Sequence, residues 1–109
     1  MKLLIAGSRS IKEFDLSPYI SGDVDIIISG GATGIDTLAE QYADEHSLSK
    51  YILRPHYERY GRSAPLHRNE EMVDMADAVL IIWDGKSNGT RHTIKYAKKT
   101  QKPITLITV

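Results

Sequence analysis

DIIISGGATGIDTLAEQYA, residues 25–43, decides how the chain is read. Ile26, Ile27 and Ile28 make a short β-branched run, which suits a strand buried on both faces. Beyond it, Ile35, Leu38, Ala39, Tyr42, Ala43 and His46 recur at the i, i+3, i+4, i+7, i+8, i+11 spacing of one helix face. The stretch is therefore a strand, a glycine loop and a helix. Gly30, Gly31 and Gly34 let the backbone take positive φ and approach a ligand closely. The helix start offers unpaired N–H groups and the positive end of its dipole, so an anion such as phosphate would sit well there. A plain capped turn, with Thr33 and Asp36 as a T-x-x-D pair, accounts for the same residues without a ligand.

Working outward, the same alternation repeats. Leu3–Ala6 is a first buried strand, ended by Gly7-Ser8-Arg9-Ser10. Ser17-Pro18 resembles an N-cap followed by proline, predicting a short helix near 17–21. Ser49–Leu53 reads as a third strand, and residues 54–62, RPHYERYGR, have no period and read as a loop. Ser63 caps a helix that runs to about Asp74, with Leu66, Met72, Val73 and Ala76 on one face and Asn69 projecting from its middle. Ala78–Ile82 is the fourth strand, closed by Trp83-Asp84-Gly85. Residues 86–90, KSNGT, open a last helix to about Thr100, and Ile104–Val109 is a fifth strand.

Strands alternating with helices along the whole length predict an α/β fold. We expect a Rossmann-like, doubly wound, mainly parallel five-stranded sheet with helices on both faces and the strand order 3-2-1-4-5. Such sheets bind ligands beyond the carboxyl ends of the strands, where the winding direction reverses. The loops at 7–10, 29–34 and 83–90 all fall at that end, so their glycines and polar residues converge. Convergence strengthens the phosphate reading.

Bulk properties narrow the function. The 109 residues make one domain, 1–109, long enough to bury a core without disulfides. With 14 basic and 14 acidic residues the formal charge is zero, which argues against global steering to nucleic acid or an anionic membrane, though not against a local basic patch. The absence of cysteine excludes thiol chemistry and cysteine-ligated metals. The N-terminal apolar run is too short for a signal segment or a membrane span. These features predict a cytoplasmic protein with no membrane partner. His56, His67 and His92 have no metal-site spacing, so neither a metal nor a resident cofactor is expected.

Four motifs in order, GSRS (7–10), SGGATGID (29–36), RNEEMVDMADAVLIIWDG (68–85) and SNGT (87–90), resemble the SLOG superfamily, named after the Smf/DprA and LOG proteins. The resemblance is nearest to its small single-domain YspA-like members and covers nearly the whole chain. It implies a Rossmann-like fold, a nucleotide or nucleotide-derived ligand and a homo-oligomer. LOG members hydrolyse the N-glycosidic bond of nucleoside 5′-monophosphates; DprA members bind single-stranded DNA. Arg68, Met72, Ala76 and Asp77 match the LOG spacing, and Gly89-Thr90 match its Gly-Thr. Gly85, Lys86 and Ser87 replace its Pro-Gly-Gly, and Thr93 stands where LOG enzymes carry a glutamate that acts in hydrolysis. Threonine can neither stabilise a cationic sugar nor activate water.

The candidate ligand residues are Gly7, Ser8, Arg9, Ser29, Gly30, Gly31, Gly34, Asp36, Arg68, Asn69, Trp83, Ser87, Gly89 and Thr90. Arg9 and Arg68 could form paired bonds to phosphate, as could Arg91, or could pair with acids or solvent. The amides of Gly30, Gly31, Gly89 and Thr90 would share that phosphate, and Ser87, Asn88 and Thr90 either donate to it or cap the helix. Trp83 and the 54–62 loop would contact base or sugar; Trp83 is otherwise an edge-of-core residue. Asp36 either accepts from ribose hydroxyls or compensates the helix dipole, and Asn69 bonds a loop backbone or the ligand. The principal expectation is a nucleotide-binding or sensing module. Its alternatives are a nucleoside-monophosphate N-glycosidase, whose acid would have to be Asp36, Glu70 or Asp84, and a single-strand DNA binder using the arginines and tyrosines of 54–62.

Overall fold

The computed structural model describes residues 1–109. Its strands are β1 (Lys2–Gly7), β2 (Ile26–Ser29), β3 (Ser49–Ile52), β4 (Ala78–Trp83) and β5 (Ile104–Thr108). Its helices are α1 (Ile35–Glu45), the single turn α2 (Tyr57–Tyr60), α3 (Ala64–Met75) and α4 (Asn88–Lys99). The sheet runs β3-β2-β1-β4-β5 with every pair parallel, the doubly wound order that the alternation predicts.

The strand sequences explain why both faces are covered. In β1, Leu3 and Ile5 point to one face and pack with Ile27, Leu80 and Ile82 under Ile35, Ala39 and Ala43 of α1. Leu4 and Ala6 point to the other, with Ile28, Val79 and Ile81 under Met72 and Val73 of α3 and Ile94 and Ala97 of α4. Each fully buried leucine or isoleucine contributes about 1.5–3 kcal/mol of burial, so these two clusters hold the sheet between its helices. Leu16 and Val24, from the segment between β1 and β2, complete the first cluster. No helix is long and apolar enough to cross a membrane.

Local details depart from the sequence reading. Residues 54–62 are not a plain loop: they hold α2 and a 3-10 turn, Gly61–Ser63, and the Tyr60 ring stacks on His67 with centroids 3.9 Å apart. Ser63 makes no side-chain cap and instead donates to Tyr60 O at 2.9 Å. Leu66 lies outside the α3 core face and is exposed. Ser17 sits inside a 3-10 turn, Ser17–Tyr19, and bonds Asp15 rather than capping a helix. The start of α1 is capped by neither member of the Thr33–Asp36 pair; Gly34 occupies that position. His46 follows α1 and stacks on Tyr42 at 3.9 Å, outside the buried stripe. The β5 residues are half-buried or exposed, because β5 is an edge strand.

Candidate functional site

A cavity of about 390 Å³ opens beyond the carboxyl ends of β1 and β4, where the strand order reverses. Gly7, Arg9 and Ser10 line it from the loop after β1, and Asp36 from α1. Arg68 and Asn69 come from α3; Asp84 and Ser87 come from the β4–α4 connection, and Gly89, Thr90 and Thr93 from the start of α4.

Two glycines let these walls approach. Gly34 has φ +75°, and a Cβ there would lie 2.5 Å from Ser8 O and 2.6 Å from Arg9 O. It therefore presses the start of α1 against the β1 loop, where Ile35 N donates to Ser8 O at 3.4 Å. A Cβ on Gly30 would lie 2.9 Å from both Arg68 Nη1 and Asp36 Oδ2, so that position admits a guanidinium and a carboxylate against the backbone.

Arg68 is 7% exposed, yet no carboxylate lies within ion-pair distance of it. Its Nη1 donates to Gly30 O at 2.6 Å and Leu53 O at 3.3 Å, and its Nε to Asn69 Oδ1 at 2.9 Å. Nη2 has no protein partner, and because no buried polar atom is left unsatisfied, that nitrogen keeps some exposure; Arg68 itself lines the cavity. Burial lowers the guanidinium's pKa, with Asp36 acting the other way. A buried cation whose nearest opposing charge, Asp36, lies beyond ion-pair distance is only partly compensated.

Asp36 is likewise buried, at 8% exposure, and burial raises its carboxyl pKa while the Ala32 amide, donating to Oδ2 at 3.1 Å, opposes the rise. Asp84 behaves oppositely. The amides of Ser87 (2.9 Å) and Lys86 (2.8 Å) donate to its Oδ1, and Ser10 Oγ to its Oδ2, holding the carboxyl far below the ordinary range. One cavity thus holds two carboxylates whose surroundings drive their proton affinities apart.

The opening of α4 adds donors. Ser87 occupies the cap position without a side-chain cap, its Oγ lying 2.9 Å from Ser8 Oγ. The first-turn amides of Asn88, Gly89 and Thr90 have no acceptor, as expected for an uncapped helix start. Thr93 Oγ1 donates to Gly89 O at 3.1 Å, and Asn69 Nδ2 reaches the same carbonyl at 3.4 Å.

Of the sequence candidates, Gly7, Arg9, Asp36, Arg68, Asn69, Ser87, Gly89 and Thr90 line the cavity. The others support it from behind. Ser8 is buried and receives the Asp84 amide on Oγ at 2.9 Å. Ser29 is buried, with Oγ 3.2 Å from Glu40 Oε2. The Gly31 amide, expected to meet phosphate, is instead given to Ser29 Oγ, and Arg54 Nη1 takes the Gly31 carbonyl. Trp83 does not line the cavity: its Nε1 donates to Ser87 O at 3.1 Å, and Arg91 lies 5.5 Å from the ring centroid. Asn69 bonds the backbone at Gly89, one of its two anticipated roles. Sequence reasoning placed Ser10 only in a converging loop, Thr93 only at the position of the LOG glutamate, and gave Asp84 only an alternative catalytic role. Ser10 belongs to the first glycine motif and Thr93 is one helical turn beyond Gly89, so both carried a local signal. No three metal-ligating side chains come together.

Comparison with known proteins identifies kin among bacteriophages. The chain is 32% identical over 120 residues to the Gene 61 protein of Mycobacterium phage D29, covering 94% of this chain and 93% of that protein. It belongs to the Gene 61 protein family. A second relative is the SPbeta prophage-derived protein YoqJ of Bacillus subtilis (strain 168), 35% identical over 66 residues; the match takes in 58% of this chain and 37% of YoqJ. No family model and no solved structure matches.

Proposed function

We propose that this Gene 61 family member is a SLOG-type domain that binds a nucleotide or nucleotide-derived ligand, with its phosphate end in the cavity. The observation that carries the reading is Arg68: a buried guanidinium in the cavity wall with no carboxylate within ion-pair distance and one nitrogen without a protein partner. Phosphate places a negative charge directly against the guanidinium and accepts from Nη2 and the helix amides together. Arg9 and the amides of Asn88, Gly89 and Thr90 complete its shell. Asp36 accepts from a sugar hydroxyl, and exposed Tyr57 on α2, rather than Trp83, is available to stack on a base. Assembly into a homo-oligomer and a cytoplasmic location belong to the same reading.

A thermal-shift panel of nucleoside mono-, di- and triphosphates, NAD and ADP-ribose tests it. Ligand at a hundred times its dissociation constant stabilises by about 2.7 kcal/mol, raising the midpoint of a domain this small by roughly ten degrees. Arg9 is exposed, so Arg9→Ala keeps the fold and diminishes the shift. A wild-type protein indifferent to every phosphorylated ligand removes the reading.

The opposed carboxylates favour a second reading, hydrolysis of a nucleotide N-glycosidic bond. Asp36, kept protonated more readily, would serve as acid, and ionised Asp84 would stabilise the cationic sugar or activate water. Incubation with nucleoside monophosphates releases free base under this reading, and Asp36→Asn suppresses it. Chromatograms without free base end it for the nucleotides tried.

A further inference from the structure

Charge is divided along the chain in a way that its zero total hides. All fourteen acidic residues precede Gly85, whereas six of the fourteen basic residues follow it. Four of those six, Arg91, Lys95, Lys98 and Lys99, lie on one side of α4 and are exposed. The opposite side, Thr90, Thr93, Ile94 and Ala97, is buried in the core.

None of the four cations is in an ion pair. The molecule's three ion pairs are Met1 with Asp25, Lys50 with Asp44, and His92 with Glu70. On neighbouring α3, Glu70 bonds His92 and Asp74 accepts from the Tyr96 hydroxyl at 2.9 Å, and neither is within ion-pair distance of the lysines. From Arg91 to Lys99 the row extends about 12 Å, with about 6 Å between side chains one turn apart. Laid along the duplex axis, that length covers three to four phosphates of one strand, which rise about 3.4 Å each.

We infer that the exposed face of α4 is a docking surface for double-stranded nucleic acid, engaged through the phosphate backbone without regard to sequence. Single strands are normally held by aromatic platforms on which bases stack. This face has none: Tyr96 is half-buried and bonded to Asp74, and the Trp83 indole is held by Ser87 and covered by Arg91. An anionic membrane is disfavoured because the apolar side of α4 is consumed by the core and leaves nothing to insert. The inference is independent of the cavity and its ligand.

Fluorescence anisotropy with a labelled duplex and its separate strands, titrated with the full chain across about 50 to 200 mM salt, tests it. The duplex binds at low salt, and log affinity falls against log salt with a slope of about −3 to −4 for four phosphate contacts. Lys95→Gln/Lys98→Gln/Lys99→Gln, at exposed positions, retains the wild-type unfolding midpoint to within a few degrees. Its binding weakens uniformly across duplex sequences, and its salt slope is shallower by about three. Preference for the single strands, a folded triple variant that binds as wild type does, or no binding at the lowest salt would each overturn the inference.

Discussion

Arg68, Asp36 and Gly34 each hold a state that the isolated residue would avoid. For Gly34 the penalty of replacement is steric and conformational: alanine would adopt φ +75° and place its methyl group against two carbonyls of the β1 loop. Gly34→Ala therefore destabilises by about 2 kcal/mol or more, readable as a lower midpoint in urea. Asp36 is a case of linkage. Its folded pKa is raised, so the folded chain binds a proton more readily than the unfolded one, and stability declines as pH rises out of the ordinary carboxylate range. Asp36→Asn removes that decline and still offers Oδ1 to the Ala32 amide. The variant melts higher than wild type at neutral pH, with the gap closing in acid; a pH series of melting curves checks it. If Asp36 serves the ligand, the same variant binds phosphorylated compounds more weakly despite its greater stability.

At the scale of elements, the β4–α4 connection depends on Asp84, which gathers two backbone amides and the Ser10 hydroxyl. Its depressed pKa carries the opposite sign: the contribution is present above the ordinary carboxylate range and is lost as pH falls through the lowered folded value. Asp84→Ala thus lowers the melting temperature at neutral pH, and its difference from wild type shrinks in strong acid. The five strands and the three long helices were legible because their apolar periods run for four residues or more. The turn at α2 was not, since four residues cannot display a helical period and its order comes from the Tyr60–His67 stack and its attachment to α3. Half of the site was legible for a related reason. Glycine and polar residues at strand ends reveal which loops meet, so Arg9, Arg68, Gly89 and Thr90 could be found. Local sequence does not reveal which amide is already satisfied; Gly31 and Trp83 were assigned to the ligand although Ser29 and Ser87 claim them. The α4 cation row escaped a net-charge argument because acids elsewhere in the chain cancel it.

Across the whole molecule, the order β3-β2-β1-β4-β5 makes β1 the meeting line of two half-sheets. Residues 1–52 supply β1, β2 and β3 through short-range crossovers, while β4 reaches β1 only after some seventy intervening residues have been ordered, Leu3 lying beside Ala78. The cavity straddles this line: Arg9 and Asp36 come from one side, Asp84, Gly89 and Thr90 from the other. We predict that this long-range closure comes late in assembly, with the two walls still apart when most of the first half has formed. If the proposed phosphorylated ligand binds in the cavity, it meets a finished site only behind the rate-limiting barrier. Stopped-flow measurements with saturating ligand register slower unfolding and an unchanged folding rate. On the proposed reading, occupancy acts as a latch, closed after the two halves have met and opened before they can part.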